Sequence, residues 1–307
     1  MTAPSQPDRA IGVIGLGRMG SALANRILDA GFSLTVHNRS KDKATALLAK
    51  GATWAETPRA AAAASGIVIT SLMDDHSVEQ VVSGPDGVLL GLRRNAIHLC
   101  ATTISPMQSN ALAKAHSERA SIYIAGPVLG RPAAAATGQL VTLVCGPEEG
   151  VARCRAVMTT YAARIVPLGS NPGVANQAKL LANYIAYSVL ELIGQVHAFA
   201  ERGGIPSGFM TQMLDGAFAH PAMRDYNQRI AQRRYDSVEF DTRAGLKDLD
   251  LIQTTTTEIA APLAFTGIVR DKFLAAIANG GAEKDMCVIS EISRSLCGLP
   301  ISLERAK

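Results

Sequence analysis

This 307-residue chain has no CxxC pair, no Cys/His ligand spacing and no uninterrupted apolar run of membrane-spanning length. Its five cysteines, Cys100, Cys145, Cys154, Cys287 and Cys297, are therefore read as buried or incidental thiols of a reducing compartment, not as a disulfide framework. The histidines at 37, 76, 98, 116, 197 and 220 are equally scattered, and no metal site is expected. The opening segment Met1-Thr-Ala-Pro-Ser-Gln-Pro7 lacks the basic and apolar regions of a signal peptide, so the expected location is cytoplasmic. Charged residues make up only 18% and the formal net charge is +4, with no basic run dense enough for nucleic acid. Arg224, Arg229, Arg233 and Arg234 are read as a solvated helix face. There is no internal repeat and no low-complexity linker. Apolar residues reach 48%, which over this length is material for two cores and two domains.

Up to about residue 169, short β-branched runs alternate with helical ones. Strands are expected at 11–15, 33–37, 66–71, 96–99, 121–124, 140–144 and 164–167, with alanine- and leucine-rich helices between them, the alanine run 60–64 included. Such alternation predicts a largely parallel, doubly wound sheet. After Gly169-Ser-Asn-Pro-Gly173 no strand pattern recurs. Leu181, Ile185, Val189, Leu192, Val196 and Phe199 follow at three- and four-residue spacing and predict one long helix from about 173 to Gly203, crossing between domains or subunits. Further helices are expected around 206–216, 220–233, 243–260, 263–279 and 285–295. The expected fold is α/β: a nucleotide-binding domain over 1–169 and an all-helical substrate and dimerisation domain over 170–307.

The first strand delivers Gly15-Leu16-Gly17-Arg18-Met19-Gly20 into a helix, and the second ends in Asn38-Arg39-Ser40 about twenty residues later. G-x-G-x-x-G in that setting is a dinucleotide site of Rossmann type. The first glycine makes the turn, the second admits the pyrophosphate and the third lets helix and strand pack. The helix start then offers N–H groups and a positive dipole to phosphate. An NAD site usually ends its second strand in an acid. Here there is none; Arg39 and Ser40, with Lys43 close by, suit a 2′-phosphate, and the cofactor expected is NADP(H). Leu72 and Met73, just past the 66–71 strand, are expected to line the cofactor cleft, while Asp74 and Asp75 cap the next helix. His98 lies near a strand's carboxyl end and is read as a packed histidine.

Lys179 stands early in the long helix, and Asn183 lies one turn later on the same face. Beside a nicotinamide, a lysine can protonate a carbonyl oxygen as hydride arrives or deprotonate an alcohol in reverse. By pattern alone, a surface lysine and a capping asparagine are the stronger reading.

Taken in order, Gly15-Leu-Gly17-Arg-Met-Gly20, Asn38-Arg-Ser40, Thr102-Thr103-Ile-Ser-Pro106, Gly126-Pro-Val-Leu-Gly130, Gly173 to Lys179 to Asn183, and Lys247-Asp-Leu249 resemble the β-hydroxyacid dehydrogenase family. That family includes 3-hydroxyisobutyrate dehydrogenases and glyoxylate/succinic semialdehyde reductases. The resemblance spans nearly the whole chain. It implies a Rossmann domain, a helical domain on a long helix, and a dimer or tetramer sharing the helical domain. It also implies that Lys179 is the general acid/base, that Asn183 is its partner, that Lys247 closes over the cofactor and that Thr103 lies near the nicotinamide, with Thr102 supplying a hydroxyl to the substrate.

Two departures stand out. Where the family writes Asp-x-Ser-Thr, this chain has Cys100-Ala-Thr-Thr103, and the acid is gone. Where it writes Asp-Ala-Pro-Val-Ser-Gly-Gly, this chain has Ala125-Gly-Pro-Val-Leu129-Gly130-Arg131. Leu129 makes the expected substrate wall more apolar, and Arg131 stands as an anion clamp or a surface residue. Phe240 and Asp241 are placed at the border of the substrate pocket. Three relatives compete. The 6-phosphogluconate dehydrogenases use His-Asn and a Glu where this chain has Ala182-Asn183 and Ala186, which removes the proton donor of the decarboxylating route. Imine reductases carry Asp or Tyr at the position of Lys179. Non-enzymatic NADP-binding scaffolds lose that lysine. Its retention favours reduction of a small carbonyl compound over C=N reduction or mere binding.

Overall fold

Residues 6–303 are described by the computed structural model; 1–5, most of the segment read for a signal peptide, lie outside the described residues. The chain divides into two compact units between Lys179 and Leu180.

In the first unit the β-branched runs become β1 (Ala10–Ile14), β2 (Ser33–His37), β3 (Thr53–Trp54), β4 (Ile67–Thr70), β5 (Ile97–Cys100) and β6 (Ile122–Ala125). They form one sheet in the order β3-β2-β1-β4-β5-β6, parallel at every pairing. Residues of β4 and β5 are buried throughout, as a sheet covered on both faces requires. The connecting helices are α1 (Arg18–Asp29), α2 (Thr45–Ala49), α3 (Pro58–Ala63), α4 (Asp75–Ser83), α5 (Val88–Gly91) and α6 (Pro106–Glu118). The strand order reverses between β1 and β4, which makes the crevice beyond their carboxyl ends the place where such a sheet binds ligands.

The single doubly wound sheet expected through 167 is corrected by a second, three-stranded sheet. It contains β7 (Val128–Leu129), β8 (Leu140–Val144) and β9 (Ala162–Pro167), with β7 antiparallel and β9 parallel to β8. Gly126 and Pro127 follow β6 directly, and the chain turns there into β7 with α7 (Pro132–Ala136) and α8 (Glu148–Met158) in the connections. β3 and β7 are two residues each, too short to leave an alternation in sequence.

The second unit is all-helical, with α9 (Pro172–Arg202) continuing into it, followed by α10 (Ser207–Ala217), α11 (Pro221–Ala231), α12 (Thr242–Glu258), α13 (Thr266–Ala276) and α14 (Ser290–Leu296). The unit boundary falls ten residues beyond the expected 169/170 because the first turns of α9 are tied to the sheet unit. Gly173 N donates to Asn110 Oδ1 at 3.0 Å, Ile104 N donates to Asn176 Oδ1 at 3.4 Å, and Ala175 is buried with Ile104 and Leu112.

The apolar stripe that predicted α9 does not make the core of the unit. Leu180, Tyr187, Leu190 and Ile193 do, against Leu249, Ile252 and Phe273. Of the stripe, Leu181, Ile185, Leu192 and Phe199 are exposed, Phe199 by 72%. The arginine cluster also differs from a solvated face. Arg229 is 6% exposed, bonded to Asp225 and to the Ser237 carbonyl, and Arg233 is paired with the buried Glu291.

Candidate active site

At the end of β1 the backbone must turn within a crowded space. Gly15 takes φ +94°, and a Cβ there would lie 2.2 Å from the Ser71 carbonyl oxygen. A Cβ on Gly20 would lie 1.9 Å from the Gly15 oxygen. These two glycines serve the packing of turn, helix and β4 end. Gly17 is different: a Cβ there meets nothing within 4 Å, and it heads α1 with no side chain capping the helix. An open helix start with uncapped N–H groups fits a dinucleotide pyrophosphate. Leu16 is buried, while Arg18 and Met19 begin α1.

Asn38 fastens this turn. Its Oδ1 accepts from Leu16 N at 2.9 Å and its Nδ2 donates to the Ser40 carbonyl at 3.0 Å. Arg39, Ser40 and Lys43 are exposed just beyond, with no carboxylate at the strand's end itself; Asp42, four residues past Asn38, is exposed as well. Lys41 instead lies over the Trp54 ring at 5.3 Å and faces Glu56 at 3.6 Å.

Across the switch point, Thr102 is 3% exposed. Its hydroxyl accepts from Leu72 N at 2.9 Å and donates to the Thr70 carbonyl at 3.4 Å, joining the loops after β4 and β5. That differs from the substrate-facing hydroxyl expected of it. Thr103 is half-buried beside it, and Met73 is 53% exposed. Asp74 caps α4 through Ser77 N at 2.7 Å. Asp75 does not share that cap; its carboxylate accepts from Ser105 N at 3.0 Å and Ser105 Oγ at 2.5 Å.

His98 is buried, as expected of a packed residue. The Leu112 carbonyl can only accept, so His116 Nδ1 donates to it at 2.8 Å. His116 Nε2 then accepts from His98 Nδ1 at 3.2 Å, and His98 Nε2 accepts from Thr70 Oγ1 at 2.9 Å. Burial, with the neighbouring His116, holds the His98 imidazole well below the ordinary histidine range. Burial takes His116 down to about 4. Both rings are neutral structural links.

On the 126–131 segment, Leu129 is half-buried in β7, Gly130 is exposed with φ +126°, and Arg131 is half-buried ahead of α7.

On α9, Lys179 is half-buried and Asn183 is 8% exposed. Within the helical unit Asn183 and Lys247 come together through a residue that sequence reasoning passed over. Asp248, 2% exposed, accepts from Asn183 Nδ2 at 2.7 Å and Tyr187 Oη at 2.8 Å on Oδ2, while Lys247 Nζ lies 2.6 Å from Oδ1. The signal was the i, i+4 spacing of Asn183 and Tyr187 and an acid inside Lys247-Asp-Leu249. Asp241 caps α12 by accepting from Ala244 N at 2.9 Å, and half-buried Phe240 packs on the helical core; neither assignment depends on a substrate pocket. Two cavities in this unit, of about 400 and 460 Å³, contain none of the candidate residues. The charged lining of the first is internally paired, Glu201 with Arg294 and Arg233 with Glu291.

Among the described residues no helix is long and apolar enough to cross a membrane, and no three His, Cys, Asp or Glu are grouped to hold a metal ion.

Residues 10–169 match the NAD-binding domain of 6-phosphogluconate dehydrogenase, and residues 173–292 match the NAD-binding domain of NADP-dependent 3-hydroxyisobutyrate dehydrogenase. An uncharacterized oxidoreductase of Bacillus subtilis is 35% identical over 91% of this chain and 98% of its own. The 3-sulfolactaldehyde reductase of Escherichia coli is 27% identical over 94% and 97% of the two chains. In fold, the chain is similar to 3-hydroxyisobutyrate dehydrogenase from Salmonella typhimurium, with TM-score 0.84 at 24% identity, covering 92% of this chain and 99% of that one.

Proposed function

The chain belongs to the 3-hydroxyisobutyrate dehydrogenase-like family of pyridine-nucleotide oxidoreductases, and from that premise we propose that it is an NADP(H)-dependent enzyme interconverting a small carbonyl compound and its alcohol, of semialdehyde or β-hydroxyacid type. The bound nicotinamide supplies or accepts the hydride. Lys179 acts as general acid toward the carbonyl oxygen in reduction and as base toward the hydroxyl in oxidation. Asn183, one turn on, orients the substrate hydroxyl. The observation that carries the reading is the pairing of these two residues on one face of α9 in a chain whose sheet unit offers an open, uncapped helix start at Gly17.

Arg39 and Ser40 bind the 2′-phosphate; the absence of an acid at the end of β2, where Asn38 and Arg39 stand, supports NADP(H) over NAD(H). Gly17, with Arg18 and Met19 at the helix start, holds the pyrophosphate on the turn that Gly15, Leu16 and Gly20 shape. Asn38 acts by fixing Leu16 and the turn, and Thr102 by joining the two loops that present Leu72, Met73 and Thr103 to the cofactor. Lys247 closes over it. Leu129, Gly130 and Arg131 form the substrate wall, and Phe240 contributes to substrate binding from the helical unit. The enzyme works as a homodimer or tetramer in the cytoplasm. An NADPH-oxidation panel of small aldehydes, ketones and cyclic imines tests the reading. Turnover of carbonyl compounds above imines is expected; imine turnover alone, or tight binding without any turnover, contradicts it.

A further inference from the structure

Asp248 is a buried carboxylate on which three side chains converge. Its Oδ2 accepts from both Asn183 Nδ2, at 2.7 Å, and Tyr187 Oη, at 2.8 Å; its Oδ1 lies 2.6 Å from Lys247 Nζ. Asn183 and Tyr187 come from α9, and Lys247 and Asp248 from α12, so one side chain links the two helices and two candidate ligand-facing groups. At 2% exposure the carboxylate has exchanged water for these contacts, and removal of its charge weakens all three at once.

We propose that Asp248 is the positioning residue of the site: it sets the amide of Asn183 with one oxygen and holds the Lys247 ammonium with the other. The proposal rests on the reading of Asn183 and Lys247 given above. Its chemistry is specific. A carboxylate only accepts, so the Asn183 amide must turn its nitrogen toward Asp248, and its carbonyl oxygen points away. Asn183 therefore offers an acceptor to a ligand and recognises a hydroxyl hydrogen, the feature that separates the alcohol from the carbonyl. Tyr187 fills the second lone pair of Oδ2, which keeps the carboxylate from rotating away. Asp248 itself touches no reacting atom.

A set of single and double variants tests this, read by NADPH fluorescence titration and by NADP+-dependent oxidation of 4-hydroxybutyrate, an alcohol, as probe. Asp248→Asn keeps the shape but removes the charge that pairs with Lys247 and that strengthens the two hydrogen bonds to Oδ2. It should weaken NADPH binding by roughly 3–30-fold through the lost ion pair with Lys247 and lower kcat by roughly 10–100-fold through the weakened hydrogen bond to Asn183. In a Lys247→Ala background the binding loss should vanish to within about twofold, and in an Asn183→Ala background the kcat loss should vanish likewise, as coupled residues require. Equal losses in every background would mean a merely structural role and would overturn the proposal. If the native protein turns over no probe, the functional reading fails by itself, while the NADPH-binding cycle still decides the Lys247 half. If Asp248→Asn does not fold, the side-chain amide of Asn183 in the native protein decides the other half, assigned by its disappearance in Asn183→Ala. One amide proton shifted downfield and slow to exchange supports the bond to a carboxylate; a solvent-like amide pair overturns it.

Discussion

Adjacent residues after β2 take different work. Asn38 is turned inward to Leu16 N, whereas Arg39 is exposed where it can meet a phosphate. Arg39→Ala should therefore weaken NADPH by about 1.5–3 kcal/mol, the worth of a charge-assisted contact, and leave NADH nearly unchanged. Fluorescence titration with both cofactors measures this, and equal affinities in the native protein would refute the assignment. The inward role of Asn38 was not legible, because a side chain contacting a backbone 22 residues away leaves no local pattern. The same holds for His98 and His116, whose interlock crosses from β5 to α6. Their chain makes a pH prediction. Both imidazoles are held below the ordinary value by burial, so the unfolded chain binds protons more readily than the folded one. The stability they protect is complete above about pH 6.5 and falls as pH drops, for His116 between about 6.5 and 4, by up to about 1.4 kcal/mol per pH unit per imidazole. Urea midpoints across that range should fall less steeply in His116→Gln than in the native protein; parallel profiles would show that the ring does not carry the dependence.

Elements were legible in proportion to how local their signals are. β2 and β8 fall where β-branched alternation placed them, and α9 matches its expected ends to within one residue. The split of β7-β8-β9 from the main sheet was not, since pairing partners are chosen by nonlocal contacts. The glycine turn was the most legible feature, yet its glycines differ in a way only the packing reveals. Gly20→Ala would press a methyl against the Gly15 carbonyl and should cost about 1–3 kcal/mol of stability, as overpacking does. Gly17→Ala has open space and an ordinary backbone, with φ −72°, so its melting temperature should stay near native while NADPH affinity falls. Calorimetry with and without NADPH separates the two; loss of stability in Gly17→Ala, or unchanged NADPH affinity, would remove Gly17 from the cofactor cradle.

For the whole molecule, the stripe on α9 matters because a single chain leaves it uncovered. Leu181, Ile185, Leu192 and Phe199 repeat with heptad character, at 50%, 60%, 47% and 72% exposure. In the homodimer or tetramer proposed above a second copy would cover this face, so Leu192→Asp with Phe199→Glu should yield monomers by light scattering. A native monomer at micromolar concentration would contradict it. The sequence stripe was legible, but which face of α9 met its own core was not, because both faces carry apolar residues. The proposed catalytic role of Lys179 comes only from family motifs, since one lysine on one helix carries no pattern of its own. Its most direct test is Lys179→Ala, measured by kcat on the best carbonyl substrate together with NADPH affinity. A fall in kcat of about 10²–10⁴-fold with NADPH binding intact, not rescued by Lys179→Arg because a guanidinium holds its proton, is the expected result. Near-native turnover in Lys179→Ala would contradict it.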